Sequence, residues 1–106
     1  MEAKRVIQGI SEIAHQVLPA GGDAILFGSR ARGDAQEDSD WDLLILIDGP
    51  RVTGSDFDRY AYPFVVFGWS IGAQINPLIY SVEDWQRRSF TPFYKNVLAE
   101  GVSLCH

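Results

Sequence analysis

The sequence predicts an α/β (α+β) domain in which a small mixed three-stranded sheet carries packed helices. Three apolar runs, Ala24–Phe27, Trp41–Ile47 and Gln74–Tyr80, are bounded by turn residues as strands are. Segments with helical spacing or helix-capping residues alternate with them. The connection from Gly28 to Asp40 is short, so the first two strands run antiparallel if their ends meet; a parallel pair needs a longer crossover.

In chain order, Val6, Ile10, Ile13 and Val17, flanked by Ile7, Ala14 and Leu18, recur at helical spacing, with Gln8, Glu12 and His15 opposite. Pro19 and Gly21-Gly22 stop that helix. Ala24–Phe27 is a short buried strand, Ser29–Gly33 a brief helical turn and Asp34–Ser39 a polar loop. Trp41–Ile47 is the second strand, closed by Asp48-Gly49-Pro50. Ser55 or Asp56 caps a helical element running towards Trp69, which Pro63 is expected to break or kink. Gln74–Tyr80 alternates as a third strand, and Pro77 places it at an edge. Ser81, with Asp84 at the capping-box position, and Thr91-Pro92 open two final helices, the second ending near Gly101. The order is α-β-(α)-β-α-β-α-α.

A length of 106 residues is that of one domain, here residues 1–106. A net charge of −5 argues against a nucleic acid held by phosphate contacts. Cys105 is the sole cysteine, which excludes an internal disulfide and points to a cytoplasmic protein. The amphipathic N-terminal segment lacks the core of a signal peptide, and no run is long enough to span a bilayer.

The chemistry concentrates in Gly28-Ser29 and Asp40-Trp41-Asp42. Strand side chains repeat with period two, so Asp40 and Asp42 share a face with Cα atoms about 6.5 Å apart. Carboxylates so placed converge on a hard cation such as Mg²⁺, one ion or two, together with substrate phosphate oxygens. Gly28 permits close backbone approach, and Ser29 offers a hydroxyl and an amide at a helix start, where a phosphate is favoured. The alternative is a plain turn and a strand-start cap. Against it, Asp42 would then stand unpaired in an apolar run, which is costly.

Arg30 and Arg32 flank the same turn and either neutralise phosphate or pair with Asp34, Glu37 or Asp38. Trp41 is expected to pack on the face opposite the two acids. Trp69, Trp85, Phe90, Phe93 and Tyr94 either close the core or form a docking surface. His15 is a surface residue, and His106 is terminal and expected to be disordered.

Phe27-Gly28-Ser29-Arg30-Ala31-Arg32-Gly33-Asp34, followed by Ser39-Asp40-Trp41-Asp42-Leu43, resembles the minimal nucleotidyltransferases of the DNA polymerase β superfamily. The specific part of the likeness covers about residues 24–47, and a looser one extends through Pro77–Tyr80, Glu83, Trp85 and Pro92–Tyr94 to Glu100-Gly101. It implies the nucleotidyltransferase fold and transfer of a nucleoside monophosphate from an NTP, ATP above all, to an acceptor hydroxyl, with release of pyrophosphate. It assigns Asp40 and Asp42 to the metal and Gly28, Ser29, Arg30 and Arg32 to the nucleotide. It also implies a separate small all-helical partner of the HEPN type, which such proteins modify or restrain as antitoxins; self-association is compatible with it.

The sequence departs from the family at one position. The family draws a third carboxylate, a metal ligand and base, from a later strand. The matching strand here reads Gln74-Ile75-Asn76-Pro77, and Asn76 is the residue expected at that position. An amide offers a metal an oxygen but does not accept a proton at neutral pH. Asp56, Asp58, Glu83 and Asp84 are the candidate substitutes, none of them on that strand. A module that binds its partner without catalysis is therefore the competing expectation.

Overall fold

A computed structural model describes residues 2–105; His106 lies outside the described residues. The fold is organised around β2 (Trp41–Ile47), whose residues are all buried except Asp42. It pairs antiparallel with β1 (Asp23–Phe27) and parallel with β3 (Ile75–Ser81), so the sheet is mixed. The connection from Phe27 to Trp41 is spanned by α2 (Ser29–Arg32) and a loop, as its length requires.

Period-two alternation along β2 divides the core into two layers. Trp41, Leu43, Ile45 and Ile47 face α1 (Ala3–Val17) and α3 (Tyr62–Ile71), where they meet Val6, Ile10, Ala14 and Phe64. Leu44 and Leu46 face the other way, onto Trp85 of α4 (Val82–Arg87) and Val97 of α5 (Pro92–Glu100). Asp42 belongs to this second face, and Trp41 packs on the first, as expected.

The sheet has four strands, not three. A two-residue strand, β4 (Val102–Ser103), lies antiparallel to β1, giving the order β3-β2-β1-β4. Two residues carry no alternation to detect. The pairing is tertiary: the Leu104 amide bonds the Ala24 carbonyl at 2.8 Å, and Ser103 Oγ donates to Asp23 Oδ1 at 2.6 Å.

Pro77 does sit on an edge strand. Pro63 starts a helix instead of breaking one. A π-helical turn over Phe57–Ala61 leads directly into α3, and Pro63 falls in that helix's first turn, where its missing N–H leaves nothing unpaired. Asp56 precedes the turn without a side-chain capping bond; its carboxylate accepts from the Thr53 amide and hydroxyl.

The last two helices begin as their caps dictate. Ser81 Oγ accepts from the Asp84 amide at 3.0 Å, and Thr91 Oγ1 from the Tyr94 amide at 3.2 Å. The box at Ser81 is only half formed, because the Asp84 carboxylate turns to Arg87 and Arg88. The aromatic residues split between the two expected roles. Trp85 is buried, with Phe93 and Tyr94 packed on it, whereas Trp69 and Phe90 are 64% and 77% exposed.

Candidate active site

Register alone brings the site together. Phe27 of β1 is the partner of Asp42 in β2, and Asp42 is the partner of Asn76 in β3. These three residues form one row across the sheet, at the end from which Gly28 leaves β1. Asp40 immediately precedes β2, where the Trp41 amide bonds the Gln74 carbonyl at 2.8 Å. The loop that separates Ser29 from Asp40 in sequence therefore folds back and closes the gap in space.

Gly28 carries the tightest constraint. Its φ of 77° and ψ of −158° lie in a region essentially restricted to glycine. A Cβ there would fall 2.6 Å from Asp42 Oδ2. The turn thus presses its backbone directly against the second carboxylate. Gly28→Ala is expected to cost about 1–3 kcal/mol of stability through backbone strain alone and to push the two groups apart. A urea melt together with nucleotide binding checks this; a variant with unchanged midpoint and affinity would contradict the close approach.

Burial raises the pKa of Asp42 first, the Asp40 charge raises it further, and Arg32 partly offsets both. Asp40 is exposed and accepts a hydrogen bond from Asn76 Nδ2 at 3.0 Å, while Asn76 Oδ1 accepts from Gln74 Nε2 at 3.2 Å. Asn76 thus reaches the acids from the neighbouring strand, as expected, but presents a donor to Asp40. Asp84 is held by arginines and Asp56 by Thr53, and among the described residues no three acidic, histidine or cysteine side chains gather at one point.

A family profile described as the nucleotidyltransferase domain matches residues 7–91. The chain belongs to this family. A Methanocaldococcus jannaschii protein named as a putative protein adenylyltransferase is 39% identical over 77 residues, covering 73% of this chain and 71% of its own. Among solved structures, a toxin–antitoxin with AMP-PNP superposes with a TM-score of 0.64 at 16% identity, covering 92% of this chain and 71% of its own. A Sulfolobus solfataricus protein described as a putative nucleotidyltransferase gives 0.54 at 20% identity, covering 95% of this chain and 80% of its own. At such identities these structures establish the fold, and the sequence matches identify a transferase.

In this nucleotidyltransferase the donor set suits a small hard cation. The carboxylates of Asp40 and Asp42 repel each other, one of them half-buried, and a divalent ion between them would remove both the repulsion and the cost of burying charge. The pH dependence follows with a definite sign. Folding raises the Asp42 pKa, so the folded chain holds its proton to higher pH than the unfolded chain. The stability of the metal-free protein relative to Asp42→Asn should therefore fall as pH rises from the ordinary carboxylate range through the raised value. Melts in EDTA from pH 4 to pH 7 should show this fall, and saturating Mg²⁺ should flatten it.

The two arginines of the nucleotidyltransferase motif have different surroundings. Arg30 lies over the Trp41 ring at 4.4 Å, and its Nη2 donates to the backbone carbonyls of Ser39 (2.9 Å) and Glu37 (3.1 Å). It ties down the loop that delivers Asp40. Of the two alternatives, pairing with the Asp34, Glu37 or Asp38 side chains is not what holds Arg30. Arg32 does pair with Asp34, at 3.2 Å, and also with Glu100 of α5, at 3.3 Å. Nothing in the sequence signals the second contact, which spans 68 positions. His15 is exposed, with Nδ1 2.7 Å from the Ser11 carbonyl, away from this chemistry.

Proposed function

We propose that the chain transfers a nucleoside monophosphate from ATP to a hydroxyl group on a partner protein, with Mg²⁺ held by Asp40 and Asp42. The observation that carries this reading is the contact between the Gly28 turn and Asp42, which supports a site where backbone that takes phosphate lies against a carboxylate that takes the cation. Bound there, the cation would polarise the α-phosphorus and offset charge on the leaving oxygen.

The chain's own groups account for the rest. The backbone at Gly28 and Ser29 receives phosphate oxygens, while the Ala31 and Arg32 amides further along the turn are already bonded to the Gly28 carbonyl. Arg32, pulled between Asp34 and Glu100, exchanges an exposed carboxylate for the more highly charged triphosphate. The acceptor oxygen bonds to the α-phosphorus, the bond to the β-phosphate bridging oxygen breaks, and pyrophosphate leaves. The acceptor proton has no carboxylate on β3 to receive it, so it passes to solvent or to a group brought by the acceptor.

We take the acceptor to be a hydroxyl group of a protein. The relative named as a protein adenylyltransferase and the neighbours described as toxin–antitoxin assemblies support the same choice. We take the partner to be a separate small helical protein of the HEPN type, with this chain as its antitoxin. An NTP donor and a lone cysteine fit a cytoplasmic setting; among the described residues no helix is long and apolar enough to cross a membrane.

The experiment uses ATP labelled at the α- or the γ-phosphate, with Mg²⁺ and host lysate. Label from the α-position should become covalently attached to one acceptor, and label from the γ-position should not. Asn76 favours a second reading, in which the chain neutralises its partner by binding alone. No transfer from either label, with partner binding unaltered by Asp40→Asn/Asp42→Asn, would decide for that reading.

A further inference from the structure

Beside the phosphate turn the fold leaves a cavity of about 250 Å³, lined by Phe27, Gly28, Phe93, Asn96 and Val97, with the Arg32–Glu100 ion pair also bordering it. Gly28 belongs both to the phosphate turn and to this cavity, and Phe27 is the register partner of Asp42. The space is thus continuous with the site described above. Phe27 and Phe93 meet with ring centroids 5.3 Å apart at 72°, which leaves aromatic surface along the wall. Asn96 stands one helical turn beyond Phe93 on α5, is exposed, and makes no side-chain hydrogen bond among the described residues.

Resting on the nucleotidyltransferase reading, we propose that this cavity receives the nucleobase of the triphosphate, with Asn96 as its specificity-determining residue. The aromatic part of the wall, Phe27 and Phe93, suits a flat heteroaromatic ring. The remaining polar demand of a base lies along its edge, where Asn96 stands. A side-chain amide sets one donor beside one acceptor, and adenine presents the matching pair at N7 and N6. Guanine presents two acceptors on that edge, so the amide oxygen would face an acceptor. The preference is therefore for ATP over GTP, and it resides in one exposed side chain whose replacement leaves the core untouched.

The test is equilibrium binding by calorimetry in Mg²⁺, comparing ATP, GTP and inorganic tripolyphosphate on the wild type and on Asn96→Leu. The wild type should bind ATP roughly tenfold more tightly than GTP. Asn96→Leu should erase that difference by weakening ATP, while tripolyphosphate binding and the melting temperature stay unchanged. Unaltered ATP affinity in Asn96→Leu would overturn the base subsite while leaving the phosphate site standing. So would equal losses for ATP and tripolyphosphate. Reduced transfer with unaltered ATP affinity would assign the cavity to the acceptor instead. If neither ATP nor tripolyphosphate binds the wild type, the phosphate site fails first and the base subsite with it.

Discussion

Replacing Asp40 and Asp42 together with asparagine is expected to lower transfer of α-phosphate label by roughly a thousandfold or more. A cation held between them would supply several kcal/mol of stabilisation to the charge moving onto the leaving oxygen, and every 1.36 kcal/mol is a factor of ten in rate. The double variant should still fold. Asparagine has the shape of aspartate, and the substitution removes the burial cost and repulsion that raise the Asp42 pKa. The melting temperature of the metal-free variant should equal or exceed that of the wild type, while the increment conferred by Mg²⁺ disappears. Label transfer within tenfold of wild type, in a folded variant, would show that the reaction does not run through these acids.

Asn76→Asp is expected to act in the opposite direction, raising transfer roughly tenfold to a hundredfold, at the low end of what a positioned general base contributes. Asn76 stands opposite Asp42 and donates its amide N–H to Asp40. A carboxylate there would add a third oxygen ligand facing the other two and a group able to accept the acceptor proton. It would also place three negative charges together. The variant should therefore be less stable without metal and gain more from Mg²⁺ than the wild type does. Its pH–rate profile should also gain an ionisation beyond those of Asp40 and Asp42, which a purely structural effect would not produce. A flat or reduced rate, with the far-ultraviolet spectrum intact, would show that position 76 does not face the reacting atoms.

Local signals made most of this molecule legible. The acids at positions 40 and 42 meet the same neighbour, Asn76, as strand periodicity leads one to expect, and the closeness of Gly28 to Asp42 follows from the short antiparallel connection. Ser81 and Thr91 each cap a helix through a bond spanning three residues, so their sequence signature is complete in itself. What escaped depends on contacts between distant segments. β4 exists because residues 102–103 meet β1 nearly eighty positions away, and two residues hold no pattern of their own. Glu100 reaches Arg32 by the same kind of accident of folding. Pro63 is ambiguous for a different reason: a proline that breaks a helix interior also begins a helix well, and only the preceding π-helical turn distinguishes the two. Trp69 and Phe90 show that aromatic content alone does not say which rings are covered.

The hold of Arg30 on the segment before Asp40 has an evolutionary consequence. The guanidinium grips main-chain oxygens, which every amino acid provides, and braces on the Trp41 ring. The side chains at positions 35–38 are thereby relieved of responsibility for the path of the chain. That stretch can drift in composition, and even change sign of charge, without displacing the acids downstream.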